Sequence, residues 1–195
     1  MNIEIKRLTP DLAEDYLHFF DVTPHDDNIV EHKCYCVCWC SADHRIATDF
    51  SSRDKRRELA RQYVREGVIQ GFLAYDGDRI VGWCNANAKS ECLHCTSWLR
   101  NMKSVDMDDK TLKIKSVFCF VIAPDMRRKG VATQLLERVC EDAKADDFDI
   151  VEAYPNKAFV STSHDFMGTV GMYEKTGFTT CYKTAEKLIM QKALK

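Results

Sequence analysis

The sequence lacks any hydrophobic stretch long enough to cross a membrane, and its first residues, MNIEIKRLTP, lack the apolar run of a signal peptide. It also lacks an excess of charge of one sign, because the formal net charge is only -2 at pH 7. A nearly neutral chain is poorly suited to bulk electrostatic binding of nucleic acid. These absences predict a cytoplasmic protein with neither a membrane nor a nucleic-acid partner.

No internal repeat and no domain boundary is evident along the chain. Its 195 residues, 45% of them hydrophobic, are enough for one globular domain with a substantial core. We therefore expect a single domain over residues 1–195. The ten cysteines are many, but a chain of this size needs no disulfides for stability and carries no export signal, so most should be reduced thiols.

The most informative segment spans residues 117–137. It opens with an apolar run of strand length, VFCFVI, that ends at Ala-Pro-Asp. After a basic turn, apolar residues return at helical spacing. The start of a helix presents unpaired N–H groups and the positive end of the helix dipole, so this turn predicts an anion site suited to phosphate.

The turn carries the pattern Arg-x-x-Gly-x-Ala at residues 127–132, which resembles the coenzyme-A-binding motif of the GNAT acetyltransferase superfamily. A second segment, GMYEKTGF at residues 171–178, resembles the other GNAT signature, a short helix that carries a tyrosine and closes on Gly-Phe. The two lie in the family's order. The resemblance implies an α/β (α+β) fold with a mixed central sheet of six to seven strands flanked by helices, in which a splayed pair of parallel strands holds acetyl-CoA.

The resemblance further implies direct transfer of an acetyl group from the co-substrate acetyl-CoA to a primary amine. The turn would hold the pyrophosphate through backbone N–H groups, and the core-strand edge would pair with the pantetheine arm and polarise the thioester carbonyl through a strand N–H. The implied cofactor-binding residues are Phe120, Val121, Ile122, Arg127, Arg128, Lys129, Gly130, Val131, Ala132 and Thr133.

Two residues are the expected catalytic groups. Tyr173 matches the family's tyrosine that protonates the departing thiolate, and the alternative is a packed aromatic on a helix. The family's core-strand glutamate is missing, since residues 113–122 contain no carboxylate. Glu152 on the next strand is the best candidate for the base, with a buried structural glutamate paired to a lysine or arginine as the equal alternative. Other candidates for the base are His94, His164 or a chain of waters.

Cysteines alternate in CYCVCWC at residues 34–40. Strict alternation predicts a strand with all four sulfurs on one face, too widely spaced for one zinc ion unless the chain turns. We interpret it as a buried strand that uses cysteine as a small hydrophobe. Some uncharacterised GNAT proteins have a similar Cys-Tyr-Cys strand, so a role in lining the acceptor site and a redox role stay open. Cys119 as an acyl-accepting nucleophile is a more distant alternative.

No metal site is predicted. The CxxC of Cys92 and Cys95 has no second CxxC or histidine pair at a standard spacing. Residues 86–110 otherwise form a long irregular segment that could cover the acceptor site.

The remaining elements follow from periodicity and turn residues. The expected helices are 10–20, 52–66, 133–145 and 165–176, and the expected strands are 2–8, 71–75, 79–84, 148–154, 179–182 and 187–191. The basic face of the helix at 52–66 is interpreted as solvated, with a docking surface as the alternative.

The acceptor is not identified by any sequence signature. We expect a small-molecule amine, with a peptide N-terminus or lysine side chain as the runner-up and a non-catalytic acyl-CoA-binding module as a further alternative. The resemblance also implies that a homodimer is a common assembly.

Overall fold

The computed structural model describes residues 2–40, 49–102, 105 and 111–195. Within these residues a seven-stranded mixed sheet has the order β1-β2-β3-β4-β5-β7-β6. The strands are β1 (Ile3–Arg7), β2 (Gly71–Asp76), β3 (Arg79–Ala88), β4 (Ile114–Ile122), β5 (Ile150–Ala153), β6 (Thr179–Lys183) and β7 (Leu188–Ala193). The helices are α1 (Ala13–Val22), α2 (Arg53–Arg65), α3 (Lys89–Cys92), α4 (Thr96–Asn101), α5 (Val131–Ala145) and α6 (Val170–Lys175).

β4 and β5 are the parallel neighbours of the sheet, while the other strand pairs are antiparallel. They pair from Ile114 with Ile150 to Val117 with Ala153, where β5 ends. β4 continues to Ile122. The last part of β4 therefore has no parallel neighbour, which is the splayed arrangement expected from the sequence and confirms the mixed α/β fold.

The sheet separates two apolar layers. One layer packs α1 and α2 against one face and includes Tyr16, Trp83 and Phe118. The other packs α5 and α6 against the opposite face and includes Val117 and Leu135. Because successive residues of a strand point to opposite faces, the unbroken apolar run of β4 contributes to both layers.

Most helices predicted from apolar spacing are confirmed. α1 is preceded by a 3₁₀ turn at Pro10–Leu12, and the Ser52 hydroxyl caps α2 by accepting a hydrogen bond from the Lys55 N–H. The predicted helix at 165–176 is too long, because α6 covers only Val170–Lys175. The left-handed Gly168 (φ +90°) precedes it, and the left-handed Gly177 (φ +86°) follows it.

The prediction of a strand at residues 34–40 is wrong. Tyr35 (φ 48°) and Cys36 (φ 51°) are left-handed, and a 3₁₀ turn follows at Val37–Trp39. The Tyr16 hydroxyl donates to the Tyr35 carbonyl at 2.8 Å, and the Tyr35 hydroxyl donates to Asp21 at 2.7 Å. These contacts with α1 hold the segment as a turn, so the strand alternation expected for the four sulfurs does not apply.

Residues 86–102 are more regular than expected. β3 extends to Ala88, and the short helices α3 and α4 follow it. The remainder of the predicted irregular segment, residues 103–104 and 106–110, lies outside the described residues. No helix among those that the structure describes combines the length and apolarity needed to cross a membrane.

The basic face of α2 is used largely within the molecule. Arg53 and Arg57 bind the carboxylate of Asp21, and Arg61 and Arg65 bind Glu14. Both acids belong to α1. These pairs join the two helices and leave little unpaired charge for a docking surface.

Candidate active site

A cleft of about 870 Å³ opens beside the free end of β4. Its walls come from residues 20–39, the end of β4, the turn into α5 and the segment 159–172. Small-molecule sites commonly have volumes of roughly 300–1,000 Å³. The splay between β4 and β5 and the first turn of α5 therefore meet in a single cavity large enough for a cofactor.

The turn into α5 forms the anion-binding end of this cleft. Gly130 is left-handed (φ +83°) and accepts the first helical hydrogen bond, from the Gln134 N–H at 3.0 Å. The preceding N–H groups of the first turn have no partner within the helix. A Cβ at Gly130 would meet no protein atom closer than 4.0 Å, so the glycine is required by its backbone angle. A phosphate fits these donors.

The three basic side chains of the turn have different environments. Arg127 donates to the Ile122 carbonyl at 3.2 Å and forms an ion pair with Asp26. Arg128 is exposed at the cleft wall. Lys129 is not among the cleft-lining residues, and its Nζ lies 3.9 Å from the sulfur of Met126. Nine of the ten cofactor-binding residues expected from the sequence line the cleft: Phe120, Val121, Ile122, Arg127, Arg128, Gly130, Val131, Ala132 and Thr133.

The edge of β4 that the cleft exposes already makes one hydrogen bond. The Phe120 N–H donates to the Phe166 carbonyl at 2.7 Å. The segment before α6 thus replaces β5 as the neighbour of β4 at this point. A ligand that pairs with the same N–H must displace the Phe166 carbonyl.

Tyr173 lies directly behind the cleft wall. Its side chain is fully buried, and its hydroxyl donates to the Met167 carbonyl at 2.6 Å. Burial raises the pKa of this phenol well above its ordinary value. Tyr173 does not line the cleft, whereas Gly168 does, and a Cβ at Gly168 would stand only 3.1 Å from the tyrosine hydroxyl. The backbone at Gly168 therefore packs between the cleft and the phenol.

Glu152, a residue of β5, is enclosed in a polar network. One carboxylate oxygen accepts from Lys89 and from the Tyr154 hydroxyl, both at 2.7 Å, and the other accepts from Gln191 at 2.6 Å. Glu152 and Lys89 are 1% and 2% exposed, and neither lines the cleft. These contacts are those of the structural alternative raised by the sequence, a buried glutamate paired with a lysine. His94 and His164 are not among the cleft-lining residues either.

Cysteines form part of the cleft wall, through Cys34, Cys36, Cys38 and Cys119. A thiol–thiol contact with Cys119, together with burial, raises the pKa of Cys36, and burial raises the pKa of Cys38 to about 11. Burial also raises the pKa of Cys119, although its contact with Cys36 acts in the opposite direction. A raised pKa disfavours the thiolate, which is the nucleophilic form.

The CxxC cysteines are core residues. The Cys92 thiol donates to the Trp39 carbonyl at 3.1 Å, and the Cys95 sulfur accepts from the Trp98 N–H at 3.4 Å. All ten cysteines are free thiols in the structure.

Sequence reasoning missed two groups of cleft residues. Asp165 accepts hydrogen bonds from the N–H groups of Val160 and Ser161, which lower the pKa of its carboxyl although burial acts in the opposite direction. His25 and Asp26 reach the cleft from the loop after α1. That loop is polar and has no periodic pattern, so no local signal places it beside the turn into α5.

Comparison with known proteins agrees with the fold. The model of the acetyltransferase (GNAT) family matches residues 31–178. The fold is similar to that of a GNAT-family acetyltransferase from Streptococcus pneumoniae, at a TM-score of 0.56 and 16% identity over 100% of both chains. It is similar to the PaiA N-acetyltransferase of Thermoplasma acidophilum, solved with coenzyme A, at a TM-score of 0.53 and 13% identity over 99% of both chains.

A third similar structure is the spermidine/spermine N-acetyltransferase SpeG of Vibrio cholerae, in variant form, at a TM-score of 0.55 and 11% identity over 99% of this chain and 95% of that one. Identities this low establish the fold alone. No curated protein sequence matches the chain. Because the family model covers most of the sequence, the chain belongs to the acetyltransferase (GNAT) family.

Proposed function

We propose that the protein is an N-acetyltransferase that moves an acetyl group from acetyl-CoA directly to the primary amine of a small molecule. The observation that carries the proposal is one continuous cleft, which runs from the open N–H groups of α5 along the part of β4 that has no parallel neighbour. Membership of the GNAT family supports the reaction class. The coenzyme A in the similar PaiA structure supports the donor.

The two ends of the cleft would bind different parts of acetyl-CoA. The first turn of α5, with Arg128 beside it, would hold the pyrophosphate through backbone N–H groups and charge. Gly130 leaves open space where a side chain would otherwise stand. Phe120 to Ile122 of β4 would pair with the pantetheine arm as an additional strand.

The chemistry needs a polarised carbonyl and a proton for the leaving group. Acetyl-CoA supplies the activated thioester. The amine would attack as its free base while the Phe120 N–H donates to the thioester oxygen, and the C–S bond would break as Tyr173 gives its proton to the departing sulfur. The proton that the amine nitrogen loses on forming the amide would restore the Tyr173 hydroxyl, so that the products are the acetylated amine and free CoA. Since Phe166 accepts from Phe120 and Met167 accepts from Tyr173, both donors become available only when the segment of residues 166–169 moves.

The size and walls of the cleft support a small acceptor. Trp39 and Phe166 both line the cleft, with 6.4 Å between their ring centroids, and Phe118 stacks on Trp39 at 4.8 Å. Aromatic rings therefore form part of the cleft wall. A cavity of this kind encloses a compact amine more readily than a folded protein surface.

The proposal is tested by calorimetry with acetyl-CoA and by release of free CoA in the presence of a panel of diamines, amino acids and aminoglycosides. We expect binding in the micromolar range and turnover with at least one amine, with the acetylated product identified by mass spectrometry. Tyr173→Phe should lower kcat by roughly 10²- to 10⁴-fold while acetyl-CoA still binds. Absence of acetyl-CoA binding in the native protein would contradict the proposal at its first step.

A further inference from the structure

The loop after α1 folds around one carboxylate, that of Asp27. The Asn28 N–H donates to the His25 carbonyl at 2.8 Å, and the His32 N–H donates to the Ile29 carbonyl at 3.0 Å. Asn28 is left-handed (φ 59°), which reverses the chain between the two turns. This path brings His25 and His32 to the same carboxylate although they are seven positions apart.

Both imidazoles present the same ring nitrogen to Asp27. Nδ1 of His25 lies 2.6 Å from one carboxylate oxygen, and Nδ1 of His32 lies 2.5 Å from the other. The Ile29 N–H donates to the carboxylate at 2.9 Å and fixes its orientation. The two rings are perpendicular, with an 84° angle between their planes and 6.0 Å between their centroids.

The loop is held from both sides before any ligand binds. On one side, Asp26 forms an ion pair with Arg127 of the turn into α5. On the other, Glu31 accepts from the Arg53 N–H and its carbonyl accepts from the Arg56 guanidinium, so the loop is joined to the start of α2. A site whose ligands are positioned in advance loses less entropy on binding than one that must be assembled.

We propose that His25, Asp27 and His32 bind a divalent transition-metal ion, Zn²⁺ in particular, at the mouth of the cleft. Among the described residues, these three form the one group of histidine, cysteine or acidic side chains whose ligand atoms all lie within 4.8 Å of one another. Two imidazole nitrogens and one carboxylate oxygen are a donor set that suits zinc and its neighbours.

Modest adjustment of the side chains would admit the ion. Metal bonds of about 2.0–2.2 Å in a tetrahedral site place the ligand atoms roughly 3.3 Å apart. The nitrogen–oxygen distances are now 2.5 and 2.6 Å, so the imidazoles would move outward by less than about 1 Å. The His25, Asp27 and His32 side chains are 34%, 38% and 54% exposed, which gives the ion access and leaves its remaining positions to water.

The site would connect the metal to the cleft, because His25 also lines the cleft wall. A bound ion would replace the two imidazole–carboxylate hydrogen bonds by three coordinate bonds and fix residues 25–32 as one unit beside the turn into α5.

The test is titration of the reduced, metal-free protein with Co²⁺, followed by visible absorption, and then displacement by Zn²⁺ measured by calorimetry. We expect one equivalent to bind with the ligand-field bands of nitrogen and oxygen donors. Asp27→Asn and His32→Gln should each weaken binding by at least about tenfold. His18→Gln is the matched control, since His18 is an exposed histidine of α1 outside the group, and it should bind as the native protein does.

The Co²⁺ absorption spectrum must distinguish this site from binding by cysteine, because the chain has ten cysteines and thiolates also bind these ions. A thiolate-to-cobalt charge-transfer band, equal affinity in the native protein and Asp27→Asn, or no binding at all would each overturn the site. Circular dichroism of each variant tests whether weaker metal binding results from unfolding.

Discussion

At the scale of single residues, Gly130 is a glycine that the backbone angle requires and that close packing does not. It is left-handed at the start of α5, and no protein atom crowds the place where a Cβ would stand. Gly77, in the turn between β2 and β3, is also left-handed (φ +61°) with open space around it, but it does not line the cleft. The two glycines therefore impose similar strain on an alanine and differ in location.

We expect Gly130→Ala to weaken acetyl-CoA binding by tenfold or more, because the added methyl group would stand in the phosphate position. The left-handed strain of about 1–2 kcal/mol should lower the stability of the variant. Gly77→Ala should lose similar stability and keep the native affinity. Calorimetry with acetyl-CoA measures the affinities, and urea unfolding measures the stabilities. Equal affinities in the two variants would contradict a phosphate site at this turn.

Glu152 is the residue for which catalytic and structural roles make opposite predictions. Glu152→Gln leaves the Lys89 ammonium buried without its carboxylate and should cost about 3–5 kcal/mol of unfolding free energy. The double variant Glu152→Gln/Lys89→Met removes both charges and should recover much of that loss. Chemical denaturation measures both effects.

The same double variant decides the role of the glutamate in the reaction. Since neither side chain lines the cleft, we expect the folded double variant to retain turnover within a few fold of the native rate. A folded double variant that binds acetyl-CoA but shows no turnover would instead support the sequence-based prediction that Glu152 is the base.

At the scale of elements, the segment of residues 166–169 is the part that the proposed reaction must move. Its carbonyls accept from the Phe120 N–H and from the Tyr173 hydroxyl, the two donors that the reaction would use. We expect acetyl-CoA to increase amide exchange in this segment and to decrease it in the first turn of α5. Exchange mass spectrometry with and without acetyl-CoA measures both changes, with α2 as the internal reference. Increased protection of residues 166–169 would contradict displacement.

The elements also show what the sequence could and could not predict. The β4 strand, the turn and α5 were predictable because their signals are local, namely an apolar run, a glycine and a helical repeat. Residues 34–40 were not, because contacts of Tyr35 with α1 override their alternation. Pairing of Glu152 with Lys89 joins residues that are 63 positions apart in the sequence. Covering of Tyr173 by Gly168 depends on the left-handed turn before α6, which lies outside the motif. The motif therefore identified Tyr173 without giving its surroundings.

At the scale of the whole molecule, Asp21 joins α1, α2 and residues 34–40, and two of these parts, α1 and residues 34–40, contribute to the cleft wall. Its carboxylate accepts from Arg53 and Arg57 of α2 and from the Tyr35 hydroxyl, at 2.7–3.1 Å. Although burial acts in the opposite direction, the hydrogen bonds from Arg57 and Tyr35 lower the pKa of Asp21 below its ordinary value. The carboxylate form is therefore favoured in the folded protein. Its hydrogen bonds hold residues 34–40 against α1 and α2.

This pKa shift determines how the stability of the whole protein depends on pH. Asp21 has a lower pKa folded than unfolded, so its contribution is complete above the unfolded value of about 3.9 and is lost as the pH falls through the folded value. Asp21→Asn should lower the unfolding free energy by about 1–3 kcal/mol at pH 7, and this difference from the native protein should shrink as the pH falls below about 4. Asp54→Asn is the control, because the Asp54 side chain is 86% exposed and its ion pair with Arg53 should contribute less than about 1 kcal/mol. Urea unfolding at pH 7 and at a pH below 4 measures the unfolding free energies of the two proteins. If the difference between Asp21→Asn and the native protein stayed constant with pH, the charge of the Asp21 carboxylate would not be what joins these elements.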